Sequence, residues 1–104
     1  MTKAQQLLPL LQQLPLVMRE SGLWQQDAPS TEELSSSEPF SVDTLKPEQW
    51  LQWVFLPKMR ALVEQKMPLP TGFSISPYFE ESWKSCPEYA PVLSLLVSID
   101  EVCR

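Results

Sequence analysis

The chain has no histidine, only two glycines and two cysteines, and no apolar run long enough to cross a bilayer. Each absence excludes something. Histidine is the commonest general base and metal ligand near neutral pH, so serine–histidine and cysteine–histidine nucleophile systems cannot be assembled within one copy of this chain. Cys86 and Cys103 are seventeen residues apart, a spacing that matches no zinc finger or ribbon. No metal or cofactor site is expected. Gly22 and Gly72 cannot frame a phosphate-cradling loop or a nucleophile elbow. Near the N-terminus, LLPLLQQLPLVM is interrupted by glutamines and followed by Arg19 and Glu20, unlike the unbroken apolar core of a secretory leader. The expectation is a cytoplasmic protein with reduced thiols and no membrane span.

What is present reads as globular. The 104 residues fit a single domain spanning 1–104, long enough to enclose a core without covalent staples. Formal charge is −5, and residues 27–48 carry a net −5 whereas residues 49–72 carry +2. Nucleic-acid binding rests on cations that displace counterions from phosphates. An acidic chain with so few cations is a poor direct ligand for RNA or DNA.

Hydrophobic spacing predicts helices throughout and no strands. Leu7, Leu11, Leu14 and Met18 repeat at three- and four-residue intervals within a first helix over about 3–24, with glutamines opposite. Pro9 suits a helix that effectively starts near Leu8, and Pro15 would free the Leu11 carbonyl, so a bend, or a restart near Leu14, is expected. Gly22 should end the helix and send Trp24 back to the core. Residues 25–46 are rich in serine, glutamate and proline. They read as a long loop, either a partly mobile connector or a strap tethered by Phe40. Pro47 opens a second helix running to about Gln65, apolar on all sides up to Leu56 and amphipathic beyond Pro57. MPLPTGFSISP is an extended connector. Ser76 is placed to cap a third helix over about 77–85. A last helix from about Glu88 to Val102 would bury Tyr89, Val92, Leu96, Ile99 and Cys103. The fold class is therefore all-α, a bundle of about four helices with a long loop between the first two.

No constellation of chemistry emerges. Glu80 and Glu81 are adjacent and diverge by about 100° on a helix, which disqualifies them as a paired acid and base. Asp100 and Glu101, at the end of the last helix, serve solubility or pair with Lys58 or Arg60. The aromatics are more informative. Four of the ten are tryptophans, a residue favoured both in cores and as an interface anchor. Trp50 and Trp53 lie about 60° apart around a helix, so one can be interior while the other reaches an edge. Trp50, Trp53, Pro57, Lys58 and Arg60, with the connector's Pro68, Leu69 and Pro70, form the candidate partner-binding surface. Pro57 cannot donate to the Trp53 carbonyl, which raises the question of how the helix continues there.

The run PFSVDTLKPEQWLQWVFLPKMRALVEQKMPLPTGFSISPYFEESW, residues 39–83, resembles the central signature of the YqcC-like family of small bacterial proteins, and the flanking helices extend the likeness over the whole chain. WLQWV, then a proline and a methionine, then PLP and PYFE carry it. The resemblance implies a compact all-α domain of the bacterial cytoplasm with no established activity. It also implies genes that often stand beside that of tRNA pseudouridine synthase C, a name sometimes borrowed for the family, and a loose association with biofilm formation. It supplies no catalytic residues. A pseudouridine synthase needs a catalytic aspartate in a much larger, sheet-based, RNA-binding domain, which a short acidic helical chain does not offer. The resulting expectation is a non-enzymatic interaction or accessory module with a protein partner. The alternatives are a small-molecule binder or carboxylate-using enzyme, with Lys58 or Arg60 facing a buried acid in a pocket beside the second helix, and a self-associating domain that forms homo-oligomers.

Overall fold

A computed structural model describes residues 2–104. Five α-helices form among these residues: α1 (Lys3–Glu20), α2 (Thr31–Leu34), α3 (residues 47–64), α4 (Ser76–Ser82) and α5 (Ala90–Val102). Short 3₁₀ turns at Pro39–Ser41 and Pro87–Tyr89 precede α3 and α5, and no strand occurs among the described residues. The count exceeds the expected four because the serine-rich loop contains α2.

Helix α1 runs unbroken through both prolines, so it neither starts near Leu8 nor restarts near Leu14. Thr2 starts it with a reciprocal cap: the Gln5 N–H donates to Thr2 Oγ1 at 3.1 Å, and the Thr2 N–H donates to Gln5 Oε1 at 3.0 Å. Each proline removes one main-chain hydrogen bond, but the helix is held from outside. Leu7, Leu11, Leu14 and Met18 are fully buried and Pro15 is itself buried. α1 lies on α5 and on the second half of α3. Burying four such side chains contributes about 1.5–3 kcal/mol each, more than a lost bond costs. Gly22, at φ +76°, terminates the helix. The Leu23 N–H reaches back to the Met18 carbonyl at 2.8 Å and the Gly22 N–H to the Arg19 carbonyl at 3.1 Å, the paired closure that a left-handed residue allows. Leu23 is buried behind it, and Trp24 turns back to pack on the core as expected.

The loop over 25–46 is a tethered strap. Ser30 and Glu33 cap α2 reciprocally, at 3.0 and 3.1 Å, and Thr44 Oγ1 donates to the Glu33 carbonyl at 2.7 Å. Leu45 and Ser41 are buried, whereas Leu34 and Val42 remain exposed. Phe40 is the anchor. Its ring stacks on Tyr78 at 4.2 Å and 16° and meets Trp50 at 4.7 Å. Phe40 and Ser41 hold left-handed backbone, φ 57° and 48°, which costs about 1–3 kcal/mol per residue; the aromatic contacts offset part of that.

At the far end of the chain, Val92, Leu96, Ile99 and Cys103 are fully buried, while Tyr89 is half-buried in the 3₁₀ turn before the helix proper begins at Ala90. Two expectations are corrected here. The residue preceding α4 is Ile75, and Ser76 does not cap the helix with its own side chain. The cap comes from Asp100 instead: Ile75 N–H donates to Oδ1 at 2.8 Å and Ser76 N–H to Oδ2 at 2.9 Å. Asp100 is therefore a tertiary cap rather than a surface charge paired with Lys58 or Arg60. Its carboxylate meets the positive end of α4 across the chain.

Candidate functional site

The central helix α3 answers the question posed by Pro57. It is α-helical over Pro47–Trp50, widens into a π turn over Leu51–Phe55, and returns to α-helix over Leu56–Glu64. The Leu56 N–H donates to the Leu51 carbonyl, five residues back. The widened turn comes directly before the proline, so the donor that Pro57 lacks is accommodated by a change of register rather than a break. Side chains before and after the turn are thereby offset from a plain helix. The first half is not buried on all sides as expected: Leu51, Gln52, Phe55 and Leu56 are buried, while Trp50, Trp53 and Val54 are half-buried.

Gln52 was not anticipated as a core residue. It is 3% exposed, and its amide clamps the main chain just after Trp24. The Gln25 N–H donates to Gln52 Oε1 at 2.8 Å, and Gln52 Nε2 donates to the Gln25 carbonyl at 2.6 Å. This pairing fixes the start of the strap against α3 and satisfies a buried amide that would otherwise be costly.

Two grooves run along opposite flanks of α3, and they divide the candidate surface. The first, about 460 Å³, lies between α3, the strap and the connector. Trp50, Val54 and Lys58 form its helix side, Phe40 closes one end, and Pro70 and Phe73 face the helix. The second, about 380 Å³, has Trp53, Pro57 and Arg60 along its helix side, with Trp24 across from them. Arg19 stands over the Trp24 ring at 5.1 Å, a cation–π contact that steadies that wall. Pro68 is exposed and Leu69 is packed against the core, and neither lines a groove. The outer edge of Trp50 is therefore met by Phe40 and opens onto the first groove. On the second, Trp53 Nε1 is buried without a hydrogen-bond partner among the described residues.

The electrostatics of the two grooves differ. Among the described residues Lys58 is the one charged side chain lining the first groove, and no carboxylate of theirs lines it. Arg60 shares the second groove with Glu64, which is exposed on the same helix. Among the described residues the one ion pair is Lys84–Glu81, 2.9 Å apart and distant in sequence from both grooves. The three groups with displaced acidity among the described residues also lie outside them. Burial pushes the Cys103 thiol up, burial and then the neighbouring Cys86, Glu88 and Glu48 push Tyr89 up, and hydrogen bonds from Ser30 hold Glu33 down. A third, polar hollow of about 290 Å³ contains Asp100, Glu101 and Arg104 beside Ser74 and Ser76. Both Asp100 oxygens there are already engaged by main-chain N–H groups. No group of three or more cysteine, aspartate or glutamate side chains suited to a metal ion occurs among the described residues, and no helix among them is long and apolar enough to cross a membrane.

Comparison with known proteins agrees with this architecture. Residues 6–102 match a protein-family model described as "tRNA pseudouridine synthase C". An uncharacterized protein of Haemophilus influenzae is 46% identical over 92 residues, 88% of this chain and 87% of that protein. The uncharacterized protein YqcC of Escherichia coli is 38% identical over 91 residues, 86% of this chain and 84% of that one. A Pectobacterium carotovorum protein named tRNA pseudouridine synthase C is 42% identical over 84 residues, 81% of this chain but 22% of that protein. The solution NMR structure of Escherichia coli YqcC superposes with a TM-score of 0.85 at 36% identity, covering 98% of this chain and 88% of that one. With the signature carried in sequence and the fold shared over nearly its full length, the chain belongs to the YqcC-like family of bacterial proteins.

Proposed function

We propose that this chain is a non-enzymatic helical docking module of the bacterial cytoplasm that serves a tRNA pseudouridine synthase. The observation that carries this reading is the Pectobacterium relative, in which a segment similar to this chain makes up about a fifth of a protein bearing the synthase name. A domain joined covalently to a larger protein is held there at high effective concentration. The same domain on a separate chain requires a surface to dock with, and the two grooves along α3 supply candidates.

Three features favour docking over chemistry in the chain itself. Asp100, one of the three aspartates in the sequence, has both carboxylate oxygens committed to the α4 cap. Asp43 accepts a hydrogen bond from Ser36 at 2.5 Å in the strap. The groove with Lys58 has no acid lining it among the described residues, and the acid beside Arg60 is exposed.

Co-expression with the synthase of the same bacterium tests the reading. An equimolar complex is expected by size-exclusion chromatography with light scattering, and the chain alone is expected to form no pseudouridine in tRNA. Pseudouridine formation by the isolated chain, or a chain that associates with itself and never with the synthase, would overturn it.

A further inference from the structure

The first groove carries enough chemistry to name the class of its occupant, an inference that rests on the docking reading above. Its floor is apolar, with Phe55, Met59 and Ile75 at 6%, 2% and 5% exposure. A volume of about 460 Å³ suits a few side chains or a small ligand.

Two observations select among apolar occupants. The first is charge. Lys58 is exposed at the groove and has no ion-pair or hydrogen-bond partner among the described residues. An unpaired cation beside an apolar floor, in a chain of net charge −5, is complementary to an anion and rejects a second cation. The second is main chain. The connector that forms the wall opposite α3 has no helix between Met67 and Ile75, and over residues 68–74 the one backbone–backbone bond among the described residues runs from the Gly72 N–H to the Cys103 carbonyl at 2.9 Å. The main-chain groups of Phe73 and Ser74, both lining the groove, are unpaired among the described residues. Free main-chain donors and acceptors outside any helix are what an added peptide strand pairs with.

We propose that this groove receives an extended peptide segment of a protein partner. An aromatic or aliphatic side chain of that segment fills the floor over Phe55, and a carboxylate next to it (Asp, Glu or a free C-terminus) pairs with Lys58 Nζ. A fatty-acid carboxylate could use the floor and Lys58, but it has no main chain to offer Phe73 and Ser74.

Selection of a displayed library of short random peptides against the immobilised full chain tests this. Enriched peptides are synthesised and titrated while the chain's amide and indole resonances are followed by NMR. The expected consensus joins an aromatic or aliphatic residue to Asp or Glu, and binding moves the Phe73 and Ser74 amides and the Trp50 indole. Lys58→Glu, an exchange at an exposed position whose fold circular dichroism checks, should weaken binding by about tenfold. Exchanging the peptide's acid for lysine should restore it. No enrichment, a basic consensus, shifts confined to the Trp53–Arg60 groove, or affinity unchanged by Lys58→Glu would each overturn the assignment. So would decanoate that occupies the groove while every peptide fails to bind. A synthase complex that forms as tightly with Lys58→Glu, when no acidic peptide binds, removes this inference alone. Peptide binding at the groove without a synthase complex upholds it and removes the synthase reading alone.

Discussion

The side-chain amide of Gln52 pairs with the main chain of Gln25 in both directions, accepting from its N–H at 2.8 Å and donating to its carbonyl at 2.6 Å. The contact joins the π turn of α3 to the first residues after α1, across 27 positions of sequence. Gln52→Leu would keep the volume and leave both Gln25 groups without their partner. Each such loss costs about 1–3 kcal/mol when buried. We expect a fall of about 2 kcal/mol in urea unfolding, as a lower midpoint at unchanged slope, with Gln52→Glu also destabilising because it removes the donor.

Asp100 caps α4 from the end of α5, and this separates two substitutions that sequence alone would rank the other way. Asp100→Asn presents one acceptor oxygen to two N–H groups, and a loss of about 1–3 kcal/mol is expected in thermal or urea unfolding. Ser76→Ala should stay within about 0.5 kcal/mol of the parent, because its hydroxyl does not close the helix end.

Lys66 ends α3 in left-handed backbone at φ 55°, with the Met67 N–H on the Leu62 carbonyl at 3.0 Å and its own N–H on the Val63 carbonyl at 3.2 Å. That conformation costs a side-chain-bearing residue about 1–2 kcal/mol, and glycine returns about 0.5–1 kcal/mol of this as lost chain entropy. Lys66→Gly should therefore stabilise by up to about 1 kcal/mol, raising Tm by a few degrees. Gly22→Ala is the reverse case. Nothing lies within 4 Å of an added Cβ there, so a loss of about 1 kcal/mol would be purely conformational.

The two thiols should separate by reactivity. Cys103 is fully buried and its thiol is pushed up by that burial, with Lys3 drawing it down and Asp100 adding to the rise; Cys86 is half-buried. Thiolate is the reactive form, so iodoacetamide at mildly alkaline pH should label Cys86 first, and Cys103 only as the protein unfolds, as read by peptide mass spectrometry. The linkage has a definite sign. A thiol whose value is higher in the folded than in the unfolded chain contributes stability that is fully present below the unfolded value, about 8.5, and is lost as pH rises through the folded one. Cys103→Ala should flatten that alkaline decline.

Much of the core was legible from spacing. Leu7, Leu11, Leu14 and Met18, and again Val92, Leu96, Ile99 and Cys103, are all fully buried because helical period is a local property of the chain. Phe40 was legible as the strap's tether because it is one of few large apolar residues in a polar segment. The candidate surface was legible only in part. Its members lie on one helix and one connector, but the π turn and the packing of Trp24 and Phe73 divide all of them except Pro68 and Leu69 between two grooves.

The sequence by itself determined the helical class, the positions of the long helices and the family, since periodicity, proline and glycine placement and a residue signature act within a few turns of chain. Only the tertiary structure decided the rest. It kept α1 continuous through Pro15, because burial against α5 and α3 outweighs one missing hydrogen bond. It assigned the α4 cap to Asp100 and the strap clamp to Gln52, polar side chains whose partners lie 24 to 27 residues away. Polar pairing of this kind has no sequence period, so it becomes visible only when folding brings donor and acceptor together.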